Sequence, residues 1–248
     1  MLDKLLIYRK LSRNQVKLIA MISMLIDHCG KVFCVPDSAL YVIMRYAIGR
    51  MAFPLFLMLF IDGFYRTKRP WRHVIDLVIF SILSEPGFDR VMAGQWFSFD
   101  RQSVMLTWLI CFLLMLGLHY LEQEYNKGLL DQGLFIFSEM ALIFVACIAC
   151  GYGNTDYTWA GPLAAGLGFM FYQYRKSLLL SGTIMCICIS ASYLQPWVFM
   201  ALPVMILYDP DKVCKRNAIL KYAGYAFYPV HLTVLALILE VIKTIPPV

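Results

Sequence analysis

The feature that most constrains this chain is a succession of apolar blocks, each about 18 to 22 residues long. A helix of that length crosses the hydrocarbon core of a bilayer, which is roughly 30 Å thick. The composition agrees, because 60% of the 248 residues are apolar, 15% are charged and the mean hydropathy is +0.67. Soluble domains carry about a quarter charged residues. We therefore predict an all-α integral membrane protein that lies in a lipid bilayer.

The blocks predict a polytopic bundle of about nine transmembrane helices in one domain, residues 1–248. The connections between the blocks are short, and the sequence shows no internal repeat. The eighth block is the shortest, so eight or ten spans are alternatives to nine. The first block is followed by no small-residue cleavage site, which favours a retained span over a signal peptide. The predicted spans are 15–35, 40–63, 73–93, 104–121, 134–151, 159–174, 178–195, 197–208 and 222–242.

Lysine and arginine are distributed unevenly between the two sides of this predicted bundle. If the N-terminus is cytoplasmic, 16 of the 22 basic residues lie in inner segments and four lie in outer segments. Basic residues concentrate on the cytoplasmic side of membrane proteins, so we predict a cytoplasmic N-terminus and a C-terminus outside. The inner residues are Lys4, Arg9, Lys10, Arg13, Lys17, Arg66, Lys68, Arg69, Arg72, Lys127, Arg175, Lys176, Lys212, Lys215, Arg216 and Lys221.

The net charge of +6 does not indicate a nucleic-acid partner, because the basic residues lie in short clusters between apolar blocks. The eight cysteines have neither metal-ligand spacing nor the pattern of a secreted disulfide framework. Several of them lie inside apolar blocks, where cysteine packs as a small apolar residue. We therefore expect neither nucleic acid nor a metal ion to bind this chain.

Ionisable residues inside the predicted spans are the strongest functional signal. A charge at the bilayer centre costs roughly 2.5–3.5 kcal/mol, so several charges in one bundle must pair or line a wet cavity. Here they lie at similar depths, central to outer, on the first three spans and the last. Prolines and glycines interrupt the same helices, as is typical around a cavity. The polar residues are Asp27, His28, Arg45, Arg50, Glu85, Asp89 and His231.

A purely structural interpretation is open for several of these residues. Asp27 can simply neutralise Arg45 or Arg50, and His231 can be a satisfied core histidine. Adjacent helical positions point about 100° apart, so Asp27 is not the natural partner of His28. A carboxylate from another helix suits that task better, and Glu85 is the first choice.

Five ordered motifs carry a resemblance to a known family. They are the stretch from KLIA at 17–20 to MLIDH at 24–28, GRMAFPLF at 49–56, a third region with GFYRT at 63–67 and SEPGFD at 84–89, QSVMLT at 102–107 and LKYAGYAFYPVHL at 220–232. With these motifs the chain resembles the TraX family of membrane acetyltransferases over most of its length. The family is distantly similar to other multispanning acyltransferases that use a histidine within the membrane. Region 122–158 matches least, and we expect it to carry acceptor specificity.

The resemblance implies transfer of an acetyl group from acetyl-CoA at a site embedded in the bacterial cytoplasmic membrane. The acceptor is an amine or a hydroxyl, and a peptide N-terminus, an envelope glycan and a small amine all remain open. In this hypothesis His28 is the general base and Arg50 stabilises the oxyanion. Glu85 or Asp27 orients the histidine.

Two further groups of residues complete the predicted site. The first group contacts the acceptor or lines the cavity, and the second binds the phosphates of acetyl-CoA entering from the cytoplasm. The second group can instead serve only to set the topology. The first group is Arg45, Asp89, Gln102, Tyr228 and His231, and the second is Arg66, Lys68 and Arg69.

Two other classes of function fit the same residues. Buried charges on several spans also describe a small ion-coupled transporter. The absence of an internal repeat and the short chain weigh against that class. A non-catalytic assembly factor is the third interpretation, in which the polar residues serve stability alone.

Overall fold

The computed structural model describes residues 9–175, 177–193, 195–212 and 218–244. Within these ranges the chain forms nine helices and no strand beyond two isolated bridges, so the prediction of an all-helical protein is confirmed. Lys4, Lys176, Lys215 and Arg216, which the charge analysis assigns to the cytoplasmic side, lie outside the described residues. The helices are α1 Arg13–Phe33, α2 Ala39–Arg66, α3 Pro70–Met92, α4 Val104–Asn126, α5 Gln132–Tyr152, α6 Ala160–Arg175, α7 Leu178–Tyr193, α8 Pro196–Leu207 and α9 Ala218–Thr244.

Four of these helices are long and apolar enough to cross a membrane, namely α2, α4, α5 and the Tyr222–Lys243 part of α9. Two further apolar stretches, Leu178–Ser192 and Pro196–Leu207, are shorter. Each predicted span coincides with a helix to within a few residues. The chain is therefore a helical membrane protein.

The helices pack in a bundle in which α3 lies along α9, α6 lies along α7, and α4 contacts α3, α5 and α6. Phenylalanines fill its interior, with Phe88, Phe112 and Phe169 almost fully buried. The surface of α5 that carries Phe137 and Phe144 is exposed and apolar. That surface has the character expected of a helix facing lipid.

Helix α2 is irregular where it carries its two arginines. It is π-helical over Ile43–Ile48, 3₁₀-helical over Gly49–Met51 and α-helical from Ala52 onward. Pro54 has no N–H to give to the carbonyl four residues earlier, which contributes to the irregular turn. The Ser23 hydroxyl on α1 donates to the Ile48 carbonyl at 2.6 Å and so satisfies part of this backbone. The predicted irregularity near the buried charges is confirmed in this helix.

Helices α1 and α2 approach each other closely at this irregular turn. A Cβ atom placed on Gly49 would lie 2.5 Å from Asp27 Oδ1 and 2.6 Å from Asp27 Cβ. On the same side, a Cβ atom on Gly30 would lie 2.9 Å from Met44 Cβ. The two glycines therefore let α1 carry Asp27 and His28 directly against the arginine-bearing turn of α2.

The opposite end of α2 is held by a buried carboxylate. Asp62 accepts hydrogen bonds from Arg13 Nη1 at 2.7 Å, Arg66 Nε at 3.1 Å and the Tyr208 hydroxyl at 2.8 Å. Arg66 Nη2 also donates to the Pro210 carbonyl at 2.8 Å. This network ties α1, α2 and the segment after α8 together at the end of the bundle that the charge pattern assigns to the cytoplasm.

Candidate functional site

A cavity lies between α1, α2, the start of α4, α9 and the loop that joins α5 to α6. Counted out to its open mouth, it measures about 550 Å³. Five of the sequence-predicted site residues line it: Asp27, His28, Arg45, Arg50 and Tyr228. The cavity therefore brings together polar groups that are distant along the chain.

Two histidines are joined at the back of this cavity. His28 Nδ1 lies 2.7 Å from His231 Nε2, and the two side chains are 5% and 7% exposed. His231 Nδ1 lies 2.6 Å from the Phe227 carbonyl, which can only accept, so this nitrogen carries a hydrogen. For two neutral imidazoles one arrangement then remains: His28 Nδ1 donates to His231 Nε2, and His28 Nε2 keeps its lone pair.

The lone pair of His28 Nε2 lies beside a carboxylate. Its distance to Asp27 Oδ2 is 3.9 Å, which is longer than a hydrogen bond. The other Asp27 oxygen lies 3.7 Å from Arg45 Nε and has no hydrogen-bond partner among the described residues, nor has that Nε. A water or a ligand group to one side of this pair can hydrogen-bond to both the carboxylate and the guanidinium.

Arg50 presents its guanidinium to the cavity between two tyrosines. Tyr46 is on the same helix, and its ring centroid lies 5.7 Å from Arg50 Cζ. The side chain of Tyr157, in the α5–α6 loop, lines the same cavity and lies within interaction range of Arg50. Arg50 Nε is buried and has no hydrogen-bond partner among the residues described. The arginine is thus a cation with donors aimed into an enclosed polar space.

The α5–α6 loop reaches the cavity in an unusual backbone conformation. Asn154, Tyr157 and Thr158 have φ of 45°, 66° and 35°, in the left-handed region that few side chains adopt. Each such residue costs about 1–3 kcal/mol, which the surrounding contacts must offset. This strain is therefore concentrated in the segment that brings Tyr157 to Arg50.

Contacts with the α3–α4 loop hold the strained segment. Gln102 N donates to the Asn154 carbonyl at 3.1 Å, and Asp156 N donates to the Gln102 carbonyl at 2.9 Å. The Thr107 hydroxyl donates to the Asp156 carbonyl at 2.9 Å, and Arg101 Nη2 pairs with Asp156 Oδ1 at 2.6 Å. The two loops consequently form one wall of the cavity.

Tyr228 closes the cavity from α9. Its ring meets His28 and His231 edge-on, with centroids 6.0 and 5.7 Å apart. Its hydroxyl is buried and has no hydrogen-bond partner within the described ranges. A hydroxyl in this position can hold a polar group of a ligand.

The structure gives Glu85 a different partner from the one we expected. Its carboxylate accepts from Ser103 N at 3.2 Å and from the Ser103 hydroxyl at 2.7 Å, at the first turn of α4. It does not line the cavity that contains His28. The position facing His28 Nδ1, where we expected a carboxylate, is occupied by His231.

His231 is not among the residues that line the cavity, and two other predicted residues, Asp89 and Gln102, also lie outside its lining. Asp89, near the end of α3, accepts a hydrogen bond at 2.8 Å from Ser98 N in the loop that follows the helix. Gln102 contributes through its backbone, in the bridge to the α5–α6 loop. Both therefore support the wall of the site from outside.

The predicted CoA-binding residues lie at the other end of α2. Arg66 follows Arg50 by 16 positions, which corresponds to about 24 Å along a helix. Arg66 is paired with Asp62, whereas Lys68 and Arg69 are exposed in the turn before α3. The basic group and the cavity are therefore separate regions of the molecule.

The aromatic and charged lining residues that were not predicted as site residues are Phe53, Arg101, Trp108, Asp156 and Tyr157. Phe53 lies in the GRMAFPLF motif, so the sequence did contain a signal that this residue belongs to the site. Asp156 and Tyr157 lie in region 122–158, which matched the family least, and no periodic pattern marks them. Among the described residues, no three His, Cys, Asp or Glu side chains are grouped so as to hold a metal ion.

Comparison with known proteins gives two matches. A family model described as TraX protein matches residues 12–239. A curated relative, the "Probable fimbrial assembly protein FimC, serogroup H1" of Dichelobacter nodosus, is 25% identical over 237 residues, which cover 90% of this chain and 94% of that protein. No solved structure matches the chain. The family match confirms the resemblance found from the sequence motifs.

Proposed function

The chain belongs to the TraX family, and from this premise we propose that it is a membrane-embedded acetyltransferase that uses acetyl-CoA. The observation that carries the proposal is that His28, which is hydrogen-bonded to the buried His231, lines the same cavity as Arg50. His231 accepts the hydrogen of His28 Nδ1, so His28 is held in the tautomer whose Nε2 has a free lone pair. A base of this kind next to a fixed cation is what acyl transfer requires.

In the proposed reaction the acceptor amine or hydroxyl attacks the carbonyl carbon of the thioester. His28 Nε2 takes the proton of the acceptor as the new C–N or C–O bond forms. The C–S bond then breaks, and the same nitrogen returns the proton to the sulfur of CoA. His231 keeps His28 Nδ1 engaged as a donor throughout, which is the orienting role that sequence analysis assigned to Glu85 or Asp27.

Arg50 is the proposed stabiliser of the tetrahedral intermediate. The carbonyl oxygen becomes negative as the acceptor attacks, and a guanidinium stays charged and offers several donors. The unpartnered Arg50 Nε supports this role. Asp27 and Arg45 supply further polar contacts, and Tyr228 offers a hydroxyl to the acceptor.

For the membrane arrangement, we propose that all nine helices cross the bacterial cytoplasmic membrane, with the N-terminus inside and the C-terminus outside. The cavity then opens toward the outer side, where an envelope acceptor is available. Acetyl-CoA enters from the cytoplasm, and its phosphates meet Lys68 and Arg69. Arg66 is the weaker candidate because Asp62 and the Pro210 carbonyl already bind its guanidinium.

The name of the relative favours a particular class of acceptor and also a competing function. As a fimbrial assembly protein, it points to a subunit of a surface fibre as the acceptor in this chain as well. It equally supports a non-catalytic assembly factor. That alternative predicts that replacing His28, Arg50 and Glu85 together changes stability alone.

A direct test uses membranes that contain the protein and acetyl-CoA labelled in its acetyl group. Label should pass to a peptide, glycan or lipid fraction, and His28→Ala should reduce the rate at least about 100-fold while the protein stays folded. Absence of label transfer from the wild-type protein would contradict the enzyme. Solute-dependent proton uptake by vesicles carrying the protein would instead identify a transporter.

A further inference from the structure

We infer that Tyr157 is a positioning residue that fixes the guanidinium of Arg50 in the cavity. Its effect on catalysis rests on the proposed acetyl transfer, whereas its effect on the geometry of Arg50 does not. Nothing in the sequence motifs marks Tyr157, which follows α5 in the region least similar to the family.

The contact between the two side chains has a defined direction. Arginine has donors and no acceptor, so the Tyr157 oxygen serves as an acceptor toward the guanidinium in the cavity that both residues line. Burial raises the pKa of the Tyr157 hydroxyl above its ordinary value, although the Arg50 charge opposes this shift. The tyrosine is therefore a neutral acceptor and does not itself neutralise the charge of Arg50. An aspartate at the same place would neutralise the cation that the oxyanion needs.

The ring of Tyr157 is held by aromatic packing. It stacks on Phe53 with centroids 3.8 Å apart and an angle of 15° between the planes. The ring of Phe53 in turn contacts the ring of Trp108, with centroids 4.8 Å apart, so residues of α2 and α4 both support the Tyr157 ring. Because Phe53 follows Arg50 by three positions, the same turn of α2 carries the cation and the platform for the tyrosine.

The backbone of Tyr157 is equally constrained. Its φ is 66° and its side chain is buried, and hydrogen bonds to the N–H and the carbonyl of Asp156 fix the preceding peptide groups. The guanidinium also lies over the ring of Tyr46, with Arg50 Cζ 5.7 Å from the ring centroid. Arg50 is thus confined between a ring on its own helix and a hydroxyl on a loop whose conformation is held from outside.

The test variant is Tyr157→Phe, which removes the accepting oxygen and keeps the stacked ring. Phenylalanine meets the same backbone strain at this φ as tyrosine does, so the loop conformation is not altered by the substitution itself. Tyr152→Phe is the matched control, because Tyr152 lies just before the same loop and is 91% exposed. Both variants are compared with the wild type in detergent at equal amounts of folded protein.

The first measurement is chemical modification of Arg50 by phenylglyoxal, followed by peptide mass spectrometry, with Arg45 in the same cavity as the internal reference. Loss of the acceptor frees the guanidinium, so we expect Tyr157→Phe to raise the labelling rate of Arg50 relative to Arg45 at least about threefold. Tyr152→Phe should leave the ratio unchanged. An unchanged ratio in Tyr157→Phe overturns the inference.

The second measurement is acetyl transfer. Arg50 acts mainly in the transition state, so Tyr157→Phe should lower kcat about tenfold and change KM less than about twofold. An unchanged kcat, or a loss confined to KM, overturns the positioning role in catalysis. If the wild-type protein transfers no acetyl group, the proposed function fails, and the Arg50 labelling ratio alone still decides the inference.

Discussion

At the scale of single residues, the structure assigns His28 a partner that spacing along the chain does not reveal. The two histidines are 203 positions apart, and their contact depends on α1 and α9 crossing at one depth. Sequence analysis placed both in the cavity region because each is polar within an apolar block. It then chose a carboxylate to orient His28, since carboxylates are the common partners of catalytic histidines.

The role of His231 can be tested with two substitutions of different hydrogen-bonding capacity. His231→Leu removes the acceptor for His28 Nδ1–H, and we expect kcat for acetyl transfer to fall about 100-fold. His231→Gln restores an acceptor oxygen and should retain about tenfold more activity than His231→Leu. Steady-state kinetics at matched folded protein make the comparison. Equal activity of the two variants would show that hydrogen bonding to His28 is not what His231 contributes.

Two other residues illustrate why position along a helix was predictable and contact was not. Glu85 and Asp89 lie in the second half of α3, but each accepts a backbone N–H of the following segment. Tyr157 was not predicted at all, because its inward orientation comes from a left-handed backbone at a non-glycine residue. No local sequence rule anticipates that conformation.

At the scale of helices, the close approach of α1 and α2 depends on Gly49. We expect Gly49→Ala to destabilise the protein by about 1–3 kcal/mol, because the new methyl group overlaps Asp27 and neither helix backbone can move freely. The effect is measured as the midpoint of thermal unfolding in detergent, with size-exclusion chromatography used to monitor the folded protein.

Gly151→Ala in α5 is the control for this substitution. A Cβ atom at Gly151 meets no atom within 4 Å, so its midpoint should equal or slightly exceed that of the wild type. Equal midpoints for Gly49→Ala and Gly151→Ala would show that α1 and α2 are not in close contact at this turn.

The N-terminus of α4 provides a second test at this scale. Glu85 receives the first backbone donor of that helix from Ser103, so Glu85→Ala should lower stability by about 0.5–2 kcal/mol. Its activity per folded molecule should stay within about threefold of the wild type. Thermal melts and acetyl-transfer assays on the same samples separate the two effects. A much larger loss of activity at unchanged stability would return Glu85 to the catalytic role that sequence analysis gave it.

The helices themselves were largely predictable, for a physical reason. A bilayer requires about 20 apolar residues per crossing, and this requirement marks α2, α4 and α5 clearly in the sequence. The π-helical stretch at Ile43–Ile48 was not predictable in detail, although Pro54 and Gly49 signalled some irregularity there. Its form depends on Ser23 and Asp27 from another helix, which are contacts of the folded state.

At the scale of the whole molecule, the polar groups divide into two regions about 24 Å apart along α2. One region is the cavity with its histidines and arginines, and the other is the network around Asp62 with the exposed Lys68 and Arg69 nearby. Between them α2 is packed with buried apolar residues such as Leu55 and Met58. This arrangement suits a protein that receives a donor at one face and an acceptor at the other.

The central claim is that this chain transfers acetyl groups through His28, and the acetyl groups of the host envelope test it most directly. Mass spectrometry would compare strains that carry the wild-type protein, His28→Gln, or His119→Gln, whose histidine contacts Glu122 away from the cavity. We predict an acetylated envelope component that is present with the wild type and with His119→Gln and absent with His28→Gln. An identical acetylation profile in all three strains would contradict the account.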